Sequence, residues 1–348
     1  MKFGQYDIYV GSAPIILPDI GTFFNQDIEM ALSLTQQIAA SGCSFLKAEI
    51  LHTADICLPG ETLEPYYDGK SDFVQENYRG LIERKVLSLE SYSKIFRYAR
   101  SLELGIVVSI YDFEGVDFAV KEGVCALKIA SSNIVHAPLI KYAAKTLLPL
   151  IIDTGRANMD EIARAVHWAK EAGCKNLIVE HSPSAPPVPL SSHLLPMMKR
   201  FELAFDVLPG LSDHHAGEEM MYAAAALGVP ILEKGVCLDN APIDQDVYHA
   251  LPISKLKEVV QKCHNIHQAM GSDLRYIPKE KKKTSDRMCL VAKKDLQEGD
   301  MISLDNVMFA FPQIGIPVEM WEIVENKFLH HSVPKGSPIY WHNVSFPA

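Results

Sequence analysis

The sequence predicts an α/β fold, a (β/α)8 TIM barrel followed by a small, mostly β domain. Short apolar runs of strand type alternate with longer stretches of helical period through the first three-quarters of the chain. Eight such strand–helix units fit the length of one barrel. The alternation stops near Met270, and shorter strand and turn patterns follow it.

The predicted barrel strands are continuous aliphatic or β-branched runs, as expected for parallel strands covered on both faces. They are Ile15–Ile20, Phe45–Ile50, Gly105–Tyr111, Cys125–Ser131, Leu148–Thr154, Asn176–His181, Ala204–Ser212 and Pro230–Val236. Helical periodicity predicts, among others, Asp27–Ala40, Leu89–Leu104, Met159–Ala172, Gly217–Leu227 and Ile253–Ala269. A doubly wound open sheet is the alternative, but the segment GTFFN (21–25) is not the glycine-rich phosphate loop that usually follows its first strand.

Two connections stand out by their composition and length. The segment Met1–Gly11 precedes the first barrel strand and is expected to form a hairpin across the bottom of the barrel. The segment Leu51–Leu87 is rich in Pro, Gly and Tyr and is too long for a simple connection. We therefore expect it to be a functional loop over the site.

The chain is predicted to divide at the end of the helical pattern. Residues 1–270 form the barrel domain, residues 271–285 a polar, lysine-rich linker, and residues 286–348 the small β domain. A domain of that size has a marginal core, so we expect it to lean on another surface.

Composition excludes several classes of protein. The 43 acidic and 33 basic residues give a formal charge of −10, which argues against nucleic acid as a partner. No stretch approaches the ~20 consecutive apolar residues of a membrane helix, and the first residues lack the apolar run of a signal peptide. Seven scattered cysteines without CxxC spacing indicate a reducing compartment. These features predict a cytoplasmic protein.

Functional groups of a TIM barrel lie at the C-terminal ends of its strands. In this chain those ends carry Asp19, Lys47, Glu49, Ser109, Tyr111, Asp112, Lys128, Ser131, Asp153, Thr154, His181, Ser182, Ser184, Ser212, Asp213, His214, Glu233 and Lys234. A lysine within an apolar strand is costly unless it meets an anion, as for Lys47 and Lys128. With Ser131 and Ser212 they predict a pocket for a phosphorylated or carboxylated molecule. The alternative is that each lysine pairs with a neighbouring carboxylate and fills the barrel mouth.

Three further residues have two interpretations each. His214, in the string GLSDH (210–214), is either a ligand of a divalent metal or a general base, or else a hydrogen-bonded structural residue. Asp19 and Glu49 are either an acid/base pair or simple partners of the lysines.

Six strings in order resemble the sialic acid synthase family. They are PDIG (18–21), FLKAE (45–49), LKIAS (127–131), IIDTG (151–155), GLSDH (210–214) and ILEK (231–234). The strings LVAKKDL (290–296), EGD (298–300) and PKG (334–336) resemble the family's C-terminal antifreeze-like (SAF) domain. The resemblance therefore covers nearly the whole chain.

The resemblance implies a condensation of phosphoenolpyruvate with the open-chain aldehyde of an aminosugar, which releases a 3-deoxy-2-keto sugar acid and phosphate. Asp19 stands where the family has a glutamate that handles protons, and the implied catalytic residues are Asp19, Lys47 and Glu49. Lys47, Lys128, Ser131 and Ser212 match phosphoenolpyruvate-binding positions. The implied substrate- or phosphate-binding set is Lys128, Ser131, Asp153, Ser184, Ser212, Asp213 and Glu233.

The resemblance also implies a divalent metal, Mn²⁺ or Mg²⁺, and a partner chain. His214 matches one of the family's two histidine ligands, but Gly235 stands at the second and breaks the two-histidine site. His215 or Cys237 would have to compensate, or the protein would work without the metal. The family is a homodimer in which each SAF domain closes the partner's active site in a domain-swapped manner.

Other departures concern the substrates. Asp153 replaces a serine near the phosphate, and Glu49 replaces a glutamine. The loop SAPP (184–187) lacks a tyrosine, and FPQIGI (311–316) lacks the arginine that reaches the sugar's N-acyl group. We therefore expect an acceptor other than N-acetylmannosamine, an unusual aldose or aldehyde.

Three hypotheses of function follow. The first is a divergent synthase of this family, with a role in carbohydrate or polysaccharide biosynthesis that comes from the resemblance alone. The second is a related barrel aldolase or lyase that does not use phosphoenolpyruvate, favoured by Asp153 and Gly235. The third is a non-catalytic paralogue that binds a sugar phosphate.

Overall fold

The computed structural model describes residues 1–60, 63–68, 70, 72–183, 188–242, 247–272 and 286–346. The chain divides into two compact units, Met1–Gly271 and Ser272–Ala348. Most of the predicted linker (271–285) lies outside the described residues, so its bounds stay a prediction.

The first unit is built on a closed parallel barrel. Its strands are β1 (Lys2–Phe3), β2 (Tyr6–Asp7), β3 (Ile15–Asp19), β4 (Phe45–Ile50), β5 (Leu63–Tyr67), β6 (Phe73–Asn77), β7 (Gly105–Ile110), β8 (Ala126–Ile129), β9 (Leu150–Asp153), β10 (Leu177–His181), β11 (Leu208–Asp213), β12 (Ile231–Cys237) and β13 (Leu251–Pro252). Eight of them pair in the order β3-β4-β7-β8-β9-β10-β11-β12, and β12 pairs with β3 to close the ring. The predicted TIM barrel is therefore confirmed.

Nine helices are described in this unit, and all but α2, which lines the cavity at the barrel mouth, belong to the barrel units. They are α1 (Ile28–Ala40), α2 (Tyr78–Glu83), α3 (Leu89–Ser101), α4 (Phe113–Lys121), α5 (Ala137–Ala144), α6 (Met159–Glu171), α7 (Met197–Phe205), α8 (Glu219–Ala226) and α9 (Ile253–Met270). The helix α1 shows why the sequence folds this way. Asp27 caps its first turn, and Ala31, Leu34 and Ile38 form one buried stripe at helical spacing.

One strand prediction was wrong at its start. Residues 204–205 were expected to begin a strand, but they form the last turn of α7, and β11 starts only at Leu208. Asp206 ends the helix in a left-handed conformation with φ 49°. The apolar residues on both sides of this break hide it from a periodicity argument.

Side chains inside the barrel form two layers of opposite character. The lower layer is apolar and contains Phe3 and Ile8 with the strand residues Leu17, Phe45, Val107, Ala126, Ile151, Ile178 and Ile231. Because β1 and β2 form an antiparallel hairpin that supplies Phe3 to this layer, the predicted hairpin at the bottom of the barrel is confirmed.

The upper layer lies two residues further along each strand and is entirely polar. Every barrel strand contributes one buried residue to it: Asp19, Lys47, Ser109, Lys128, Asp153, Glu180, Ser212 and Glu233. Alternation along a strand sends residues two apart to the same face, so the apolar plug below and the polar layer above follow from one pattern. The chain thus places its charged groups at the C-terminal mouth of the barrel.

The second unit is small and mostly β. Its elements are β14 (Cys289–Ala292), β15 (Val307–Ala310), α10 (Trp321–Val324), β16 (Phe328–Leu329) and β17 (Val344–Ser345). The strands pair antiparallel, β14 with β15 and β16 with β17. Buried aliphatic side chains, among them Leu290, Ile302 and Ile339, give this unit its own core.

Two expectations from composition can be compared with the described residues. The seven cysteines, all within the described ranges, form no disulfide. None of the described helices combines the length and apolar character that crossing a membrane requires.

Candidate active site

A cavity of about 850 Å³ opens at the C-terminal ends of the barrel strands, in the size range of small-molecule sites. Many of the predicted strand-end residues line it: Asp19, Glu49, Tyr111, Asp112, Ser131, Ser182, Ser212, Asp213, His214 and Glu233. The long segment 51–87 lines it as well, through Ile56, Tyr78, Leu81 and Lys85. The position expected for this loop is thus the one observed.

Lys47 joins three carboxylates at the floor of the cavity. Its Nζ lies 2.6 Å from Asp19 Oδ2, 3.2 Å from Glu49 Oε1 and 3.9 Å from Glu233 Oε1. The lysine is buried, and Tyr111 donates a hydrogen bond of 2.8 Å to the second oxygen of Glu49. The Lys47 ammonium therefore fixes the positions of Asp19 and Glu49.

Asp19 and Glu49 share Lys47 but differ in pKa. Burial raises the pKa of Asp19 to about 7; Lys47 opposes this shift, while Glu233 and Glu49 add to it. Burial also acts on Glu49, but Lys47 and the Tyr111 hydroxyl lower its pKa below the usual value. Asp19 is therefore the carboxyl group of this pair that exchanges its proton near neutral pH.

Lys128 lies inside a cage of three carboxylates. Its Nζ is 2.5 Å from Glu233 Oε1, 2.8 Å from Glu180 Oε2 and 3.0 Å from Asp153 Oδ2. It also donates a hydrogen bond of 3.3 Å to Ser212 Oγ. The structure thus pairs both predicted anion-binding lysines with carboxylates, and binding of an anion stays a proposal.

The two lysine clusters together carry an excess of negative charge. Asp19, Glu49, Asp153, Glu180 and Glu233 face two ammonium groups, which gives −3 when all are ionised. Burial raises the pKa of Glu180 to about 8, against the opposing effect of Lys128. Protons on Asp19 and Glu180 would leave the cluster at −1, so its charge depends on pH around neutrality.

Burial opposes ionisation of Asp153 as well, but here the positive neighbours prevail. Lys128 and His214 lower the pKa of Asp153 to about 2. Asp153 therefore stays charged at neutral pH, beside Lys128.

Sequence reasoning missed Glu180 and named its neighbour His181 instead. Glu180 is completely buried in β10 and reaches Lys128. A charged residue within the apolar run LIVEH was the available signal, the same one that identified the lysines. His181 lies outside the cavity: its Nε2 is 2.5 Å from the His193 carbonyl oxygen, and its ring packs against Phe201.

Asp213 lines the cavity, but its carboxylate serves the neighbouring turn. Asp213 Oδ2 lies 2.9 Å from Lys234 Nζ, and Oδ1 accepts a hydrogen bond of 2.9 Å from the amide of His215. Lys234 also donates to the carbonyl oxygens of His215 and Gly217. These contacts hold the segment after β11, which presents His214. The predicted binding role of Asp213 stays a prediction.

Ser131 lines the cavity from the turn after β8. Ser212 donates a hydrogen bond of 3.2 Å to Glu233 Oε1 in the Lys128 cage. Ser184 lies outside the described residues.

His214 has two neighbours in the cavity wall. Its Nδ1 lies 3.3 Å from Ser182 Oγ, and its ring centroid lies 4.8 Å from that of His249, at an interplanar angle of 76°. His249 is buried, and among the described residues its Nδ1 has no hydrogen-bond partner. Burial, with the charges of His214 and Lys234, holds the pKa of His249 well below its usual range, so the ring is neutral.

The metal site implied by the family resemblance does not fit at residue 235. A Cβ on Gly235 would lie 2.8 Å and 3.0 Å from ring atoms of Phe23, so Phe23 occupies the space of a second histidine. The oxygens of Asp153, Glu180 and Glu233 lie within 4.8 Å of one another and could hold an ion. The Lys128 ammonium already lies among them, however, so an ion would have to displace it.

The fold and the polar barrel mouth define an enzyme-like TIM barrel with an appended small β unit. Comparison with protein families gives the more specific result. The model of the NeuB family matches residues 34–275, and that of the SAF domain matches residues 287–345. The chain belongs to the NeuB family.

Similar proteins span nearly the same length. The chain is 28% identical to the N,N'-diacetyllegionaminic acid synthase of Campylobacter jejuni, over 88% of this chain and 93% of that protein. It is 27% identical to the pseudaminic acid synthase of Helicobacter pylori, over 92% and 96%. A putative spore coat polysaccharide biosynthesis protein E from Chromobacterium violaceum has the same fold, with a TM-score of 0.71, 19% identity, and coverage of 96% of this chain and 100% of that one.

Proposed function

We propose that this protein is a synthase that condenses phosphoenolpyruvate with the open-chain aldehyde of a sugar. Family membership and relatives named as synthases of legionaminic and pseudaminic acid support the proposal. The observation that carries it is the buried Asp19 carboxyl group, which lines the cavity beside Lys47 and has a pKa of about 7. A positioned acid with a pKa near the working pH is what proton transfer in this reaction requires.

The reaction needs one proton from the protein, and this proton must reach the aldehyde oxygen. As C3 of the enol phosphate bonds to the aldehyde carbon, the aldehyde oxygen becomes an alkoxide and must be protonated. Water adds to C2, the C2–O bond to phosphate breaks, and a 2-keto acid and phosphate leave. The two protons of that water replace the one given by the acid and neutralise the departing phosphate, so the balance closes with one water consumed.

Asp19 supplies this proton in our proposal. Its protonated form donates to the aldehyde oxygen, and the Lys47 ammonium, 2.6 Å from the carboxyl group, stabilises the negative charge that develops there. Glu49, held ionised by Lys47 and Tyr111, accepts hydrogen bonds from hydroxyl groups of the acceptor. We derive no step through a metal ion.

Anion binding is assigned to the lysines and serines of the floor. In this proposal the phosphate and carboxylate of phosphoenolpyruvate bind against Lys47, Lys128, Ser131 and Ser212. The two lysines are buried and are not among the residues that line the cavity, whereas Ser131, Ser212, Lys85 and Arg156 line it. The carboxylates around Lys128 work against this charge. Binding is therefore tightest when Glu180, with its pKa of about 8, is protonated.

A specific observation favours a second candidate. The three carboxylates around Lys128 occupy the surroundings that a phosphate would need. A barrel aldolase or lyase that cleaves a 2-keto sugar acid without phosphoenolpyruvate would not need a phosphate-binding site there.

We also propose that the protein acts as a cytoplasmic homodimer. The C-terminal unit has only a small core of its own, which suits a unit that covers a partner's cavity. Light scattering on the purified chain tests this directly, because it gives the mass of the particle.

Release of phosphate from phosphoenolpyruvate separates the two candidates. The chain is incubated with a panel of N-acylaminosugars and simple aldoses, in separate lanes with Mn²⁺, Mg²⁺ or a chelator. The synthase releases phosphate only when an acceptor is present. Cleavage of a 2-keto sugar acid by folded protein, without any phosphate release, would instead establish the lyase.

A further inference from the structure

The family's second histidine is absent from the chain, but a different histidine lies beside the first. Phe23 fills the space next to Gly235, and on the same wall of the cavity His249 lies against His214. Residue 249 follows β12 by twelve residues, so no spacing in the strand motifs indicates it. The Phe23 and His249 rings also meet edge to face, with centroids 6.4 Å apart.

We propose that His249 replaces the lost ligand, so that His214 and His249 together bind one divalent transition-metal ion in the cavity. When two imidazoles bind one ion, each coordinating nitrogen lies about 2.1 Å from the ion, and the two ring centroids are about 5 Å apart. The observed separation of 4.8 Å meets this requirement.

The polar environment of the two rings supports coordination. His249 is buried, and among the described residues its Nδ1 has no hydrogen-bond partner, which is costly for a buried polar atom. His214 Nδ1 lies 3.3 Å from Ser182 Oγ. A proton on that nitrogen, donated to Ser182, leaves the lone pair of His214 Nε2 for a metal.

The two residues that could compensate by their place in the sequence are less suitable. Neither His215 nor Cys237 is among the residues that line the cavity. The His215 ring lies at a similar centroid distance, 5.1 Å, from His193, but neither of these two rings lines the cavity, and His215 Nε2 already lies 3.2 Å from Glu219. His249 is thus the histidine that shares both the cavity and the neighbourhood of His214.

The donor set predicts which metals bind. Imidazole nitrogen suits borderline ions such as Zn²⁺ and Co²⁺, whereas Mg²⁺ prefers oxygen ligands. Among the described residues no third histidine, cysteine or carboxylate forms a cluster with these two rings. Water or substrate oxygen therefore completes the coordination, which leaves open positions of the kind found in catalytic sites.

The test is titration of the full chain with Co²⁺, followed by its visible absorption and by calorimetry, with no substrate present. We expect one saturable site that excess Mg²⁺ does not displace. His249→Ala and His214→Ala should each weaken binding by more than about tenfold. His215→Ala is the matched control, because it removes the adjacent imidazole, and it should leave the affinity unchanged.

His249→Gln is the control for a loss of binding that results from disturbed folding. It keeps most of the side-chain volume and should weaken Co²⁺ binding to the same extent while the melting temperature of the metal-free protein stays near that of the wild type. Binding by His249→Ala or His249→Gln with wild-type affinity would overturn the proposal, as would the absence of saturable binding in folded wild-type protein. The proposal concerns the cavity of the proposed synthase, but its readout needs no turnover, so the two can fail separately.

Discussion

The Asp19 carboxyl group and the Lys47 ammonium form a buried ion pair, 2.6 Å apart, at the C-terminal mouth of the barrel. Burial disfavours the charged form of both groups. It raises the pKa of Asp19 to about 7, which lies near physiological pH. The pair thus combines a proton donor with a fixed positive charge. Proposed catalysis depends on this combination.

Substitution of Asp19 tests the proton transfer. Asp19→Asn should lower kcat by about 10²- to 10⁴-fold, because the amide cannot donate an acidic proton, while the protein stays folded. As a general acid, Asp19 must be protonated, so wild-type kcat should fall as pH rises through about 7. The residual activity of Asp19→Asn should lack this ionisation. A wild-type kcat that rises with pH over this range would contradict the assigned role.

The Lys128 cage makes a prediction about stability. Lys128→Met leaves Asp153, Glu180 and Glu233 buried without their shared cation, and the free energy of unfolding should fall by about 3–5 kcal/mol. Denaturant unfolding measures the loss. The exposed Lys175 provides a control, since Lys175→Met should change stability by less than about 0.5 kcal/mol. Equal effects of the two substitutions would show that the cage is absent.

Glu180 should make stability depend on pH. Folding raises its pKa from the usual 4.5 to about 8, so the folded protein holds a proton that the unfolded chain releases. Its contribution to stability is fully present below about pH 4.5 and is lost as pH rises through about 8. As pH rises from 5 to 9, the free energy of unfolding of Glu180→Gln should therefore increase by about 1–3 kcal/mol relative to that of the wild type.

The pH dependence of Glu180 is separable from that of Asp153. The pKa of Asp153 is lowered from 3.8 to about 2, so its contribution is present above about pH 3.8 and is lost as pH falls through 2. Urea unfolding of the wild type and of Glu180→Gln at pH 5 and at pH 9 measures how the difference in their free energies of unfolding changes. A difference between the two proteins that does not change with pH would rule out the raised pKa.

Phe23 and Gly235 should be energetically coupled. A Cβ at residue 235 would lie 2.8 Å from the Phe23 ring, so Gly235→Ala should cost about 1–3 kcal/mol of stability. In a Phe23→Leu background the same substitution should cost less, because the ring edge is gone. A double-mutant cycle by thermal unfolding measures this coupling, and strictly additive losses would mean that the two residues do not compete for space.

The sequence predicts the barrel well because its strands are apolar runs and several of its helices are periodic stretches, and it fails at 204–205, where one apolar run spans the end of α7 and the start of β11. Buried charge within such a run also identifies Lys47 and Lys128 as residues of the barrel mouth. The same signal holds for Glu180, which lies within the apolar run LIVEH (177–181). The partners of the lysines depend on which inward residues meet across the barrel, and Lys128 meets Glu233, which lies 105 residues further along the chain.

Two features of the site could not be predicted from motifs at all. The contact between Phe23 and Gly235 joins the loop after β3 to the end of β12, and a glycine gives no indication of what fills the space beside it. The pairing of His214 with His249 likewise depends on how the chain returns to the cavity after β12. Such contacts are set by tertiary packing rather than by local pattern.

Formation of a new carbon–carbon bond is the most direct test of the proposed reaction. The protein is incubated with phosphoenolpyruvate labelled with ¹³C at C3 and with each acceptor in turn. The products are then separated, and their masses are measured by mass spectrometry. We predict that the label appears in a sugar acid three carbons longer than the acceptor, and that Asp19→Asn forms far less of it. Label that stays in phosphoenolpyruvate or passes only to pyruvate, with every acceptor and with folded wild-type protein, would contradict the account.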